Sequence, residues 1–271
     1  ATGSAADMAL HFLADDADTA VSRPGADADL TLTAALADAH PDDVVTVRGA
    51  EAHHAVVVRR VRVGEEVTLG DGRGVWLTGI VEAPLAPKQL SVRIRDRRDV
   101  PASTPRLVLV QALAKGDRDE LAIQAATELG VDEIVPWQAS RSVSRWSAEK
   151  AAKGVARWST IVREAAKQAH RAWVPAVGLP ATTAQLAQRA DARLVVLEPS
   201  ATDALTTIDV TAGDERELVL IVGPEGGIAP DELDALAAAG AQVVRLGETV
   251  LRTSTAGPAA LAVLNARLGR W

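Results

Sequence analysis

The chain has 271 residues, with 29 Lys and Arg against 36 Asp and Glu, and a formal net charge of −7. It has no cysteine, and its five histidines show no HExxH spacing, which excludes a disulfide framework and thiolate chemistry and leaves no metal site to expect. No apolar run approaches the ~18 residues of a membrane span, whereas a 48% hydrophobic content suffices for one large or two modest cores.

Residues 1–7 read as an appended remnant ahead of a native start at Met8. No signal peptide is read, and the expected compartment is the cytoplasm. Short alternating runs then predict strands at 44–49, 55–63, 66–74, 75–82 and 89–96. The stretch 52–60 fits a short helix equally well, because a brief apolar run carries no clear period. Gly70-Asp71-Gly72 marks a tight turn. Several small strands in close succession point to a compact barrel of the kind that binds nucleic acid.

A polar, proline-containing connector at 95–106 places a domain boundary near residue 100, giving units of 1–100 and 101–271. Beyond it, strands and helices alternate: strand 106–113, helix 117–129 closed by Gly130, strand 131–137 and a long helix over 147–170. Helix 182–190, strand 193–197, strand 217–222, helix 230–239, strand 242–246 and helix 255–268 follow. This alternation predicts a parallel sheet covered on both faces. The charge is uneven: acidic residues crowd 7–51, and basic ones crowd 141–171. A local basic surface attracts phosphates even on an acidic molecule, although a charge run also serves as a solvated helix face. Glu164, Lys167 and Arg171 are expected on one helix face. Trp137, Trp146, Trp158 and Trp173 are expected to supply core or interface bulk.

Two C-terminal segments are arranged for one ligand. In the first, Leu218 to Val222 is a buried strand, Gly223, Gly226 and Gly227 make a loop open to close backbone approach, and Pro230 starts a helix. In the second, Val243 to Leu246 is a strand, Gly247 ends it, Ser254 or Thr255 caps a helix, and Pro258 lies in its first turn. Ligands bind beyond the carboxyl ends of such strands. The chain lacks GxGxxG and GxxxxGK[ST], and Glu225 within the loop repels phosphate. A neutral or cationic ligand with an adenine-like edge suits main-chain donors and acceptors, with the carboxylate facing a positive centre. A plain strand-to-helix turn is the alternative.

GPEGG at 223–227 with LGETVLRTSTA at 246–256 resembles the SPOUT superfamily of S-adenosylmethionine-dependent RNA methyltransferases, more narrowly the 16S ribosomal RNA uracil-N3 methyltransferases. His53-His54 followed by VVVRRVRVGEEVTLGDGRG, LVQALAKGDRDELAIQAATELGV at 109–131, Arg141-Ser142 and EAAKQAHR at 164–171 are similar to further segments of that family, in the same order. The resemblance implies a PUA-like N-terminal domain, a C-terminal α/β trefoil knot, S-adenosylmethionine as cofactor, 16S ribosomal RNA of the small subunit as partner, and a homodimer without membrane or metal. It also implies a cofactor site at Leu197, Glu198, Gly223, Pro224, Glu225, Gly226, Leu246, Gly247, Val250, Leu251, Arg252 and Ser254. Many members carry glutamate where this chain has Ser254, so a role for that carboxylate does not carry over.

Uracil N3 carries a proton, and as that proton leaves to free N3 for methylation, negative charge develops on O2 or O4. An arginine fork answers that charge. Arg252 is the first candidate, Arg141 the second and Lys115 the third; for Arg252 the alternative is a loop-pinning ion pair, as with Glu225. His53, Arg59, Arg60, Arg62, Arg145, Lys167 and Arg171 are the candidate RNA contacts. Three other readings stay open: a catalytically silent RNA-binding or ribosome-assembly protein with the same fold, a nucleotide-dependent enzyme of another class using the GPEGG loop for phosphate, and a SPOUT methyltransferase acting on another RNA.

Overall fold

A computed structural model describes residues 9–23, 36–189, 191–210 and 214–271; the expectations for residues 1–7 and Met8 lie outside these described residues. Two compact units are present. The first takes in the described residues up to Ala102 together with His170–Val174, and the second takes in Ser103–Ala169 and Pro175–Trp271.

In the first unit, strands β1 (Leu10–Leu13), β2 (Thr19–Ser22), β3 (Val44–Arg48), β4 (Glu66–Gly70), β5 (Val75–Ala86) and β6 (Gln89–Asp99) form one sheet in the order β1-β4-β5-β6-β3-β2. The β1–β4 pair is parallel and the others are antiparallel. Inward residues from every strand, among them Phe12, Val21, Val45, Leu69, Leu77 and Ile94, meet in one core. Burial of each such side chain stabilises the unit by roughly 1.5–3 kcal/mol before entropy is counted.

The strand expected at 55–63 is instead helical: α1 (Gly49–His53) runs into a π-turn over His54–Val58. Only Ala52 and Ala55 of these two segments are fully buried, a helical spacing of three that a strand would not produce. The chain leaves the helix at Arg60, whose φ is +56°. The sequence pattern does not announce β1 and β2; both are four residues long and lie beside acidic turns. The segment His170–Val174 returns to this unit. Val174 N–H donates to the Gly72 carbonyl at 2.9 Å, Gly74 N–H to Ala172 at 3.0 Å, and Trp173 Nε1 to Val100 at 2.8 Å. Gly74 has φ +108°, and a Cβ there would lie 2.7 Å from the Val100 carbonyl, so only glycine lets the segment in.

The second unit contains β7 (Leu107–Ala112), α2 (Arg118–Glu128), β8 (Glu133–Trp137), α3 (Ala148–Gln168), β9 (Ala176–Val177), α4 (Thr183–Ala187), β10 (Arg193–Leu197), β11 (Leu218–Val222), α5 (Pro230–Ala238), β12 (Gln242–Val244) and α6 (Thr253–Arg267). The sheet order is β12-β10-β11-β7-β8-β9, every pair parallel. β7 and β11 are buried along their whole length, as strands covered on both faces must be. Three local expectations change here. α3 ends at Gln168, so Arg171 leaves the face shared by Glu164 and Lys167. α4 is shorter than 182–190, a tight turn closed by a capping box between Thr182 and Gln185. The helix expected from 255 begins at Thr253, with Arg252 at the cap and no side-chain cap from Ser254 or Thr255. The earlier start leaves Pro258 inside the helix, beyond its first turn. Among the described residues no helix is long and apolar enough to cross a membrane.

Candidate active site

Strands β12, β10 and β11 are neighbours, run parallel and so end on one edge of the sheet. The loop after each strand contributes to one cavity of about 390 Å³, within the range of small-molecule and cofactor sites. Leu197, Glu198 and Pro199 line it after β10; Gly223, Pro224, Glu225, Gly227 and Ile228 after β11. Leu246, Gly247, Thr249, Val250, Leu251 and Arg252 follow β12, and Thr253 and Ala256 of α6 close the wall. Arg118, at the start of α2, adds a cation. Of the cofactor residues expected from sequence, Gly226 and Ser254 do not line the cavity and the others do.

Hydrogen bonds fix the shape of the glycine loop. Gly227 N–H donates to the Pro224 carbonyl at 2.9 Å with φ +72° at Gly227, a left-handed turn that favours glycine. Thr253, the first residue of α6, donates its hydroxyl to the Gly223 carbonyl at 2.9 Å and accepts from Gln111 Nε2 at 2.9 Å. Gln111 is fully buried in β7, so this chain of bonds ties the last helix to the loop and to the centre of the sheet. The commitment of Thr253 explains why α6 starts where it does rather than at a serine cap.

Glu225 does not face an open positive centre. Its Oε1 accepts from Lys115 N–H at 3.1 Å and from the Arg118 guanidinium at 2.9 Å. Burial alone would raise this carboxyl; the N–H groups of Glu225 and Lys115 and the Arg118 cation outweigh it and hold it below the usual range. Asp119 keeps the 114–118 loop in reach, accepting from Ala114 N–H at 3.2 Å and Glu120 N–H at 2.9 Å. Burial nonetheless pushes its carboxyl upward. Arg118 and Glu225 lie 107 positions apart, and no local pattern in the sequence announces the pair.

The three candidate cations stand differently. Arg252 is exposed, lines the cavity and has no ion-pair partner among the described residues. Its carbonyl accepts from Thr255 and Ala256 N–H at 2.8 and 2.9 Å, which fixes its backbone as the helix cap. Arg141 spends its guanidinium on the carbonyls of Gly226, at 3.3 Å, and Ile228, at 3.5 Å. Lys115 meets the site through its backbone N–H to Glu225. Among the candidate RNA contacts, His53, Arg59, Arg60 and Arg62 are exposed on the first unit. Arg145 is exposed and donates to the Ser140 carbonyl at 2.8 Å. The Lys167 side chain is only 12% exposed and pairs with Glu164, which argues against a phosphate contact there. Arg171 is half-buried in the returning segment. Trp137 and Trp158 are core residues, and Trp146 packs edge-on to Trp158 at 5.3 Å.

The model of an RNA methyltransferase domain family matches residues 101–265, and that of an RNA methyltransferase PUA domain matches residues 47–95. The chain is similar to ribosomal RNA small subunit methyltransferase E of Mycobacterium bovis, with 45% identity over 242 residues, covering 86% of this chain and 91% of the relative. Among solved structures it resembles a Legionella pneumophila methyltransferase in complex with bound cofactor SAM, with 28% identity, TM-score 0.77 and coverage of 96% of this chain and 98% of the other. It also resembles ribosomal RNA small subunit methyltransferase E of Neisseria gonorrhoeae bound to S-adenosyl methionine, with 30% identity, TM-score 0.73 and coverage of 83% and 92%. With the strand order above, these likenesses make the second unit a SPOUT-type α/β trefoil knot and the first a PUA-like domain.

Proposed function

Because this chain belongs to the RNA methyltransferase family that includes the ribosomal RNA small subunit methyltransferase E proteins, we propose that it methylates N3 of a uracil in 16S ribosomal RNA of the small subunit, with S-adenosylmethionine as donor. The observation that carries this reading is the cavity at three adjacent strand ends, walled by the two loops whose sequences resemble that family. The residues present fit the donor. Leu197, Val222, Ile228 and Leu251 give apolar walls, and the main chain around Gly223, Leu246 and Gly247 offers donors and acceptors for an adenine edge. Glu198 adds a carboxylate to the same cavity, while Glu225 there is paired with Arg118. The donor, when bound, supplies an electrophilic methyl group.

The chain's own residues act in two ways. They hold the base in line with that methyl group, which turns a two-body step into a nearly one-body step. They also stabilise charge on the uracil oxygens as N3 loses its proton. Arg252 provides that stabilisation, being a cation at the cavity whose backbone is fixed as the helix cap and which has no carboxylate partner among the described residues. Arg141 shapes the loop, since its Nη1 donates to the carbonyls of Gly226 and Ile228, on either side of Gly227. Lys115 is the remaining candidate for a cation near the base. The exposed Arg59, Arg60 and Arg62 of the first unit, with His53 beside them, are the proposed docking points for RNA phosphates. The proposal takes the residues up to about 100 as the RNA-docking domain and 101–271 as the methyl-transfer domain, working as a homodimer.

The test is methylation of small ribosomal subunits from a strain lacking this modification, followed by mass spectrometry of the nucleosides. Appearance of N3-methyluridine is expected. Binding of RNA without any methyl gain would instead favour a silent assembly factor, and a different methylated nucleoside would reassign the substrate.

A further inference from the structure

A buried carboxylate lies close behind the cavity without lining it. Glu232 sits in the first turn of α5 and is 7% exposed. Its Oε1 accepts from Ser140 N–H at 3.0 Å and from the Thr183 hydroxyl at 2.6 Å. Its Oε2 accepts from the Ser140 hydroxyl at 2.8 Å and again from Ser140 N–H at 3.2 Å. Trp137 Nε1 donates to the Thr183 hydroxyl at 3.2 Å and holds that donor in place. A charged acceptor serving several donors in a dry site is a strong local constraint.

The segment that Glu232 grips is itself stiff. Gln138 Oε1 accepts from Trp146 N–H at 3.0 Å, Gln138 Nε2 donates to the Ser144 carbonyl at 3.3 Å, and Ser142 N–H donates to Ala139 at 3.1 Å. The Trp146 ring lies where a Cβ on Gly154 of α3 would come within 2.6 Å, so the far end of the segment is seated on that helix. Arg141 is carried on this segment, directly after Ser140. Its Nη1 reaches the carbonyls of Gly226 and Ile228, on either side of Gly227. Gly227 and Ile228 are wall residues of the cavity.

We infer that Glu232 is a positioning residue for donor binding: by fixing Ser140 it aims Arg141 at the glycine loop, and so sets the shape of the cavity wall. This rests on the reading of the cavity as the S-adenosylmethionine site. Glu232→Gln keeps the volume but presents an amide N–H to donors that need an acceptor.

The experiment is a double-mutant cycle read by calorimetry with S-adenosylmethionine, using full-length wild type, Glu232→Gln, Arg141→Ala and the double variant. Each single change is expected to weaken donor binding roughly tenfold, and the double variant to bind no more weakly than Arg141→Ala, because coupled residues are non-additive. Arg106→Ala, at the opposite end of the sheet, is the stability control and is expected to bind the donor as the wild type does. Wild-type affinity in Glu232→Gln, or losses that multiply in the double variant, would overturn the inference while leaving the cavity assignment intact. A wild-type protein that binds no donor would overturn both. If Glu232→Gln does not fold, Ser140→Ala, which removes the hydroxyl donor alone, enters the same cycle: weakened, non-additive binding supports the inference, and wild-type affinity or multiplying losses overturn it.

Discussion

Arg252 shows how a side chain is kept available for chemistry. Its backbone is fixed as a helix cap, yet its guanidinium has no ion-pair partner among the described residues. Arg252→Ala is therefore expected to lower kcat/KM for methyl transfer by about 2–4 kcal/mol of transition-state stabilisation, the usual cost of losing one charge-stabilising donor. Methyl-transfer kinetics with small subunits check this, and unchanged turnover would remove Arg252 from the mechanism. His170 illustrates the opposite case, a titratable group held by packing. Its φ is +52°, and its ring lies 5.7 Å from His11 and 6.4 Å from Trp76. Burial lowers its pKa from the ordinary 6.5. The unfolded chain thus binds this proton more readily than the folded one, so stability is complete above 6.5 and is lost as pH falls from there through the lowered folded value. His170→Asn tolerates the left-handed backbone and does not titrate. Its urea midpoint is expected to fall less than that of the wild type between roughly pH 7 and 5.

At the scale of strands, the parallel sheet has two ends with different duties. The carboxyl ends carry the cavity. At the amino ends, Arg106 pairs with Glu217 at 2.5 Å and Glu133 at 3.2 Å, and Arg189 reaches both carboxylates at 3.4 Å, joining the starts of β7, β8 and β11. Arg106→Ala is expected to cost about 1 kcal/mol in urea unfolding, less at high salt, because these groups are partly solvated. Such strands were legible in sequence because full burial leaves continuous apolar runs, as in Leu218 to Val222. The glycine loops were legible because backbone demands are local. What escaped detection depended on distant partners. The pairs Arg118–Glu225 and Thr253–Gln111 span most of the unit, and each polar residue alone resembles a surface residue. The helix over 49–58 was ambiguous because its fully buried residues, Ala52 and Ala55, are too small to impose a visible period. The start of α6 was missed because a tertiary bond to Gly223, rather than a local cap, sets it.

For the molecule as a whole, a formal charge of −7 has to be reconciled with a polyanionic partner. Exposed Arg59, Arg60 and Arg62 concentrate positive charge on the first unit, and attraction to phosphates depends on such local excess. Replacing Arg59 and Arg60 together with Ala is expected to weaken RNA binding and reduce the slope of log affinity against log salt by about 1.4–1.8, the equivalent of two phosphate contacts. Filter binding across a salt series measures it; an unchanged slope would place RNA elsewhere. The five residues His170–Val174 have a further consequence. Their backbone bonds to Gly72 and Gly74 are made by a stretch synthesised long after the rest of that unit. A nascent chain therefore leaves its first unit unfinished on the ribosome until residue 174 emerges, and a fragment truncated near residue 100 would expose the very carbonyls and ring faces that this late-arriving strap conceals.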